Sequence, residues 1–340
     1  MNHHSTFIRA AATVASGLLL AAFAGCAPKE KTAAAPGLTQ VAIQTDWYAQ
    51  AEHGGFYQAL AKGFYKDQGL DVDVLQGGPS TRLAETVATG RVAFAIGRSD
   101  DVMNSVSQGL PLVIVGALMQ HDPQGLLLHE ENPVNDFKAL DGKTVMASPG
   151  AVFVQYLQSH YKIKLNIMPL NYGLAQFMAD KNFIQQCFVT NEPFYVRQGG
   201  GKPKTLLLAD SGLEPYRVIL TSQKFARENP EVVRAFLAAT FKGWADFMSG
   251  DPAPGNELIL KRNENMSKEL LTYAIGEMNR LKLVSGDPGK GERIGLLTRK
   301  RLREQMALMV DLKILAEPLP LEKIARFDLL PADLQPLVGE

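Results

Sequence analysis

Five short turns in this sequence gather the residue types that hold a small molecule without reacting with it. They run from Asp46-Trp47 to Gly55, from Gly78 to Thr81, from Arg98 to Asp101, from Ser148 to Gly150, and over Asn191-Glu192. Hydroxyls at Ser80, Thr81, Ser99 and Ser148, carboxylates at Asp46, Asp100 and Glu192, the His53 imidazole and the Asn191 amide offer a mixed set of donors and acceptors. Gly54 and Gly150 sit in the same turns and count among the candidate contacts. Trp47 stands in a polar loop, DWYAQAEHGG, where a large ring has little packing role. An aromatic face in a cleft suits a flat or apolar group. Further rings, Phe56 and Tyr57, Phe153, Tyr172, Phe194 and Tyr195, flank the turns. A plainer reading stands beside this one, because serine is a favoured helix cap and acids in a first helical turn complement the helix dipole. What favours a ligand site is that the turns fall together at one end of the elements that carry them. Covalent chemistry has little support: there is no Gly-x-Ser-x-Gly, no P-loop and no cysteine cluster. The six histidines lack zinc spacing, with His53, His121, His129 and His160 scattered, so no metal, cofactor or catalytic residue is expected.

The elements that must position these turns alternate. From Val41 to Val115 the pattern is strand, helix, strand, helix, strand, helix, strand. LDVDVL at 70–75 alternates apolar and acidic residues as a half-buried strand does, while RVAFAIG at 91–97 and LPLVIVGAL at 110–118 read as buried strands. Ser80 and Thr81 are placed to cap the helix TRLAETVATG. The grammar restarts at LDGKTVMAS, 140–148, and continues through strands near 165–169, 185–190 and 205–210. Two βα runs predict two α/β lobes, each a parallel sheet covered on both faces. In such sheets ligands sit at the carboxyl ends of strands, where helix N-termini present free N–H groups. After a short strand, RVILTS, the chain turns helical. Asn229-Pro230 opens a long amphipathic helix, and further helices cover roughly 253–262, 266–281 and 298–315. This helical tail is expected to wrap the first lobe.

The first residues read as an export signal: Arg9, an apolar run from Ala10 to Gly25, then Cys26 after small residues. A cysteine so placed is a lipidation site, and residues 27–37, APKEKTAAAPG, form a tether. About 300 residues remain, enough for two cores. The expected layout is signal peptide 1–25, tether 26–37, first lobe 38–122 with 217–340, and second lobe 123–216. Thirty-five basic against 35 acidic residues leave no surplus to attract nucleic acid, and no later apolar run is long enough to span a membrane. Cys187 is the one other cysteine, so a lipidated Cys26 leaves no intramolecular disulfide.

TDWYAQAEHGGFYQALAKGFYKDQGLDVDV resembles the opening of periplasmic binding proteins of the thiamine-pyrimidine-precursor type. GRVAFAIG, QGLPLVIVGALMQHDPQGLLL, LDGKTV and TNEPFYV resemble that family and its sulfonate-, taurine- and nitrate-binding relatives. The resemblance covers nearly all of the chain beyond the tether. It implies a type II periplasmic-binding fold, with two lobes joined by crossovers near 119–128 and 209–220 and closing on a ligand as a hinge. Trp47, His53 and Tyr57 would be contacts in the first lobe, and Asn191, Glu192 and Tyr195 in the second. The family also holds pyrimidine synthases, which use a pyridoxal-phosphate lysine after the third strand and an iron-binding cysteine cluster. Here that turn carries Arg98, and the second-lobe strand has only Cys187. Arginine cannot form the Schiff base.

The function so implied is the solute-binding component of an ABC importer, a monomer that hands its ligand to a membrane permease and ATPase. A binding module for a sensor or secreted complex shares the same features. The cleft turns carry Asp46, Asp100, Asp101 and Glu192 against Arg82 and Arg98. That balance favours a flat, nitrogen-containing ring with hydrogen-bond donors over a sulfonate or nitrate, which would call for free arginine or lysine.

Overall fold

The computed structural model describes residues 37–335, so the leader, Cys26 and the tether up to residue 36 lie outside the described residues. Ten strands build two sheets. The first holds β1 (Thr39–Gln44), β2 (Leu70–Leu75), β3 (Phe94–Arg98), β4 (Leu112–Met119) and β10 (Arg217–Ser222) in the order β2-β1-β3-β10-β4. The second holds β5 (Gln124–His129), β6 (Thr144–Ala147), β7 (Asn166–Pro169), β8 (Gln185–Phe188) and β9 (Pro203–Leu207) in the order β7-β6-β8-β5-β9.

Neither sheet is wholly parallel, which corrects the sequence expectation. β10 runs antiparallel to β3 and β4, and β5 runs antiparallel to β8 and β9. The reason lies in the crossovers. β4 ends at Met119 and β5 begins at Gln124; β9 ends at Leu207 and β10 begins at Arg217. A connection this short delivers the chain to the near end of the next strand. Parallel pairing would demand a return to the far end, which takes a dozen residues or more. Residues 124–128, expected as crossover, are therefore strand, and all six residues of β5 are buried.

The helices are α1 (Gly54–Ala61), α2 (Phe64–Asp67), α3 (Leu83–Ala88), α4 (Ser99–Ser107), α5 (Val152–Tyr161), α6 (Ala175–Ala179) and α7 (Glu192–Gln198), then α8 (Gln223–Glu228), α9 (Pro230–Ser249), α10 (Ala253–Arg262), α11 (Lys268–Arg280), α12 (Arg299–Asp311) and α13 (Leu321–Ile324). α9 begins with Pro230 at its first position, where a missing N–H costs nothing. Ser267 and Thr298 cap α11 and α12 through their hydroxyls. α3, by contrast, starts at Leu83 and has no side-chain cap, so Ser80 and Thr81 lie before it and do not cap it.

One apolar core lies under the first sheet and is built from both ends of the chain: Ile43, Phe94 and Val115 meet Phe236, Trp244 and Met278. The second sheet has its own core around Leu126, Val145, Tyr156 and Leu157. The helical tail does more than wrap the first lobe. Leu302, Met306 and Met309 of α12 join the first core, while Leu312, just beyond that helix, is buried in the second. Among the described residues no helix is long and apolar enough to cross a membrane.

Candidate ligand-binding cleft

Arg98 ends β3 and Arg217 begins β10, and the antiparallel register sets them directly opposite each other. Like charges so placed repel. Carboxylates from three other segments resolve the conflict. Asp46, just past β1, takes Arg217 on one oxygen and His53 Nε2, at 3.0 Å, on the other. Asp100 receives Arg98 Nε at 3.2 Å, and Asp122, in the first crossover, receives Arg98 Nη1. Gln124 of the second sheet accepts from the same Nη1. Asp100 and Asp122 are 2% and 1% exposed, so these are desolvated pairs and not surface ones.

The pairing fixes the protonation states. Desolvation would raise the Asp46 carboxyl, but Arg217 and His53 outweigh it and hold it well below the ordinary carboxylate range. Burial opposes the charge on both guanidiniums. Asp100 and Asp122 beside Arg98, and Asp46 beside Arg217, outweigh it and keep them protonated. Both arginines are thus spent within the protein.

Other carboxylates in the cleft behave differently. Glu52, in the short 3-10 turn before α1, is 5% exposed, and it accepts the hydroxyl of Thr190 from the second lobe. Burial pushes its carboxyl up. Glu192, at the start of α7, accepts the Phe188 N–H at 2.8 Å and so closes its own turn. Burial, reinforced by the charge of Glu52, raises Glu192 to about 7. A carboxyl poised there can either accept or donate a hydrogen bond.

The lobes touch along this cleft. Trp47 meets Tyr172 of the second lobe with ring centroids 4.9 Å apart and a tilt of 38°. Tyr172 is 51% exposed and holds φ +62°, a conformation that costs a tyrosine free energy and that clusters at binding sites. On the other lip, Tyr273 of α11 donates to the Val189 carbonyl at 2.9 Å and accepts from Arg197 of α7 at 3.0 Å. The Arg217 guanidinium lies 5.7 Å from the Phe188 ring centroid.

Of the residues singled out from sequence, Asp46, Trp47, His53, Asp100 and Glu192 meet in or beside this cleft. Asn191 stands at the same turn as Glu192, and its Oδ1 is buried with no partner. His53 Nδ1 is buried and unpartnered too. Ser99 is fully buried and committed elsewhere: its hydroxyl donates to Gln305 of α12 at 2.6 Å and accepts the Tyr216 N–H at 3.0 Å, so it holds the second crossover and not a ligand. Tyr57 is fully buried under the Arg262 guanidinium at 5.6 Å, and burial pushes its hydroxyl up to about 12. Its ring packs in the core, and its hydroxyl is buried with no partner. Gly54 is glycine because a Cβ there would collide with the Phe247 ring, as one at Gly55 would with Trp244. Ser80 is exposed and Thr81 partly so, ahead of α3. Ser148 is half-buried with its N–H on Gln186 at 3.0 Å, and Gly150 turns the chain at φ +76° into α5. Tyr195 is 37% exposed on α7. Sequence reasoning missed Arg217, Glu52, Thr190 and Gln124. Only Arg217 left a signal, as a charge opening a six-residue strand that is otherwise wholly apolar or hydroxylic.

The family described as NMT1/THI5 like matches residues 50–253. The chain belongs to that family. The riboflavin-binding protein RibY of Chloroflexus aurantiacus is 29% identical over 233 residues, which are 64% of this chain and 64% of RibY, just under two thirds of that relative's length. The formylaminopyrimidine-binding protein of Halalkalibacterium halodurans is 23% identical over 67% of this chain and 72% of its own. The 4-amino-5-hydroxymethyl-2-methylpyrimidine phosphate synthase of Candida albicans is 25% identical over 63% and 68%. Among solved structures, the periplasmic aliphatic sulphonate binding protein SsuA of Escherichia coli superposes with a TM-score of 0.62 at 12% identity, covering 85% of this chain and 92% of that one. The fold of the NMT1/THI5-like chain is therefore that of periplasmic binding proteins, two α/β lobes with mixed sheets and a helical C-terminal region.

Proposed function

We propose that this chain is the solute-capturing component of an ABC importer and that it takes a flat, nitrogen-containing molecule between its lobes. One observation carries the ligand class. The two arginines at the cleft are each neutralised by protein carboxylates, while Glu52 and Glu192 are buried close enough for the charge of Glu52 to act on Glu192, and Trp47 pairs with Tyr172 across the lobes. An oxyanion would need a free guanidinium or ammonium. A ring bearing N–H donors instead finds carboxylate acceptors and a π face. Relatives named for riboflavin and for formylaminopyrimidine support the same class. Capture requires no chemistry. Ligand enters with the lobes apart, closure desolvates it, and the closed form is presented to a permease with its ATPase. In this reading the protein is exported, anchored through a lipid on Cys26, monomeric, and free of cofactors and of nucleic acid.

A synthase role is the reading against which this one is weighed. It would need a lysine where Arg98 stands, and the Arg98 guanidinium is occupied by Asp100, Asp122 and Gln124.

Fluorescence tests the proposal. The chain has two tryptophans, and Trp244 is fully buried in the core, so Trp47 reports the cleft. Titrating the mature protein with aminopyrimidines and flavins is expected to quench Trp47 saturably, and Trp47→Phe is expected to abolish the response. Tight binding of an alkyl sulfonate, with no response to any heterocycle, would overturn the ligand class and leave the fold intact.

A further inference from the structure

His121 lies in the first crossover, between Met119 and Gln124, next to Asp122 but facing other partners. Its two ring nitrogens face two carboxylates. Nδ1 meets Glu214 Oε1, in the second crossover, and Nε2 meets Glu292 Oε2 at 2.9 Å, in the loop before α12. A neutral imidazole carries one N–H and can donate to only one of them; an imidazolium donates to both. Carboxylates accept and do not donate when ionised. The geometry therefore belongs to the protonated ring.

We propose that His121 is a protonation-dependent clasp on the hinge: as imidazolium it ties the two crossovers to each other and to the C-terminal segment, and loss of its proton releases one carboxylate and frees the lobes to separate.

The surroundings make the clasp a hinge element and not an isolated ion pair. The Glu214 carbonyl accepts Arg301 at 2.8 Å and Gln305 at 3.0 Å from α12, the helix that joins the first core and packs Leu308 against the second. Arg301 also covers the Tyr216 ring at 3.9 Å, one residue before β10. The backbone N–H groups of Gln120 and His121 both donate to the Leu283 carbonyl, at 2.7 and 3.0 Å. Any rotation of one lobe against the other must pass through residues 120–123 and 208–216, and His121 joins these two segments side chain to side chain.

The charged groups around the ring are few. Glu214 and Glu292 face it directly, and Arg301, 4.0 Å from Glu214, is the opposing cation. Nearby charges are engaged elsewhere: Asp122 with Arg98, Asp287 with Lys282, and Arg293 with the Asp333 carbonyl. The hydrogen bond to Glu214 raises the His121 pKa, burial and Arg301 work against it, and the charges of both glutamates add to the rise. Because the folded value lies above the ordinary 6.5, the stabilisation is complete below 6.5 and disappears as pH rises through the higher folded value.

Two measurements on ligand-free mature protein test this, so the outcome does not depend on which ligand the cleft takes. Histidine-labelled NMR follows the imidazole of His121, assigned by its disappearance in His121→Gln. Small-angle scattering follows the radius of gyration from about pH 5 to about pH 9, the range over which histidines titrate. The expected result is a His121 midpoint above 6.5 and a radius of gyration that increases through that midpoint. Glu214→Gln should lower the midpoint, and His121→Gln should remove the change in radius that follows that midpoint. Should His121→Gln not fold, Glu292→Gln supplies the comparison and the wild-type titration stands by itself. A His121 midpoint at or below 6.5, or a pH-dependent radius unchanged by these substitutions, would overturn the clasp.

Discussion

If Asp46 reserves Arg217 for the protein, then Asp46→Asn should cost stability and at the same time create an anion site. Arg217 is 8% exposed and Asp46 is 24% exposed in their pair. Removing one partner of a buried ion pair costs about 3–5 kcal/mol, because it strands the other charge. Here the lower end applies, about 3 kcal/mol, since Asp46 is partly solvated and an asparagine oxygen still accepts one hydrogen bond. At roughly 2.1 cal/mol/K of unfolding entropy per residue over about 300 residues, about 3 kcal/mol is roughly a 5 °C fall in Tm. The freed guanidinium then stands opposite Arg98, with Asp122 the remaining carboxylate that acts on both. A charge-assisted hydrogen bond to an added anion contributes about 1.5–3 kcal/mol, or roughly 10- to 150-fold in Kd. Calorimetry with methanesulfonate should therefore detect binding to Asp46→Asn that is absent or far weaker in the wild type. Arg217→Met on top of Asp46→Asn should recover part of the stability and abolish the anion binding, with a coupling of about 2 kcal/mol in the double-mutant cycle. The acid side supplies a check on sign. The Asp46 carboxyl is held below its ordinary 3.8, so the pair's contribution is complete above 3.8 and is lost as pH falls through the folded value; Asp46→Asn should remove that acid dependence. A Tm within about 1 °C of wild type, less than about 1 kcal/mol, or wild-type sulfonate binding as tight as the variant's, would refute the reasoning.

Glu192 gives the opposite pH dependence. Its carboxyl is raised from 4.5 to about 7, so between those values the folded chain holds a proton that the unfolded chain has released. Stability should decline as pH rises through that window, and urea midpoints for Glu192→Gln should lose that part of the slope. Gly55→Ala should destabilise by about 1–3 kcal/mol, because the new Cβ enters the Trp244 ring in a core that cannot expand; differential scanning calorimetry would register it. Gly78→Ala is the control: its Cβ would stand 3.4 Å from the Tyr48 ring, so the change should stay within about 0.5 kcal/mol of neutral.

Local chemistry made the helices legible. Asn229-Pro230 marks the start of α9, and the helices expected at 253–262 and 266–281 appear as Ala253–Arg262 and Lys268–Arg280. Caps and 3.6-residue periods are properties of adjacent residues, so they survive without tertiary context. Strand direction does not. A run such as QGLLLH, buried on both faces, carries no alternation and no sign of which neighbour it will join, and it was expected as crossover although it is β5. The same blindness hid the centre of the cleft. Arg98 and Arg217 lie 119 positions apart, 217 − 98, and nothing local to either announces that an antiparallel strand will set them face to face. Once opposed, they consume Asp46, Asp100 and Asp122, three acids of the kind that the sequence offered to a ligand. Of the carboxylates in the charge argument, Asp46 and Asp100 are thus committed to arginines, Glu192 remains, and Glu52 is the acid the sequence did not single out.

The reversed strands also explain where the hinge chemistry had to fall. A strand entered straight from the other lobe begins at the cleft, whereas every parallel strand of its sheet ends there. Arg217 and Gln124 are the first residues of the two reversed strands, and Arg98 is the last residue of a parallel one. Polar side chains at these positions cannot be buried unpaired, and the nearest partners are the crossover itself and the opposite lobe. Asp122, His121 and Glu214 come from the crossovers; Gln124 and Thr190 come from the second lobe. Lobe separation must therefore break or redistribute hydrogen bonds in which one partner is an ionisable group, such as Arg98 to Gln124 and Thr190 to Glu52. A cleft assembled this way shuts with a defined register, because each guanidinium and imidazolium has fixed acceptors to return to. In the proposed reading its open and shut populations follow the charge state of a few named side chains, and a ligand that supplies N–H donors to Glu52 and Glu192 would add to the forces that hold the lobes together.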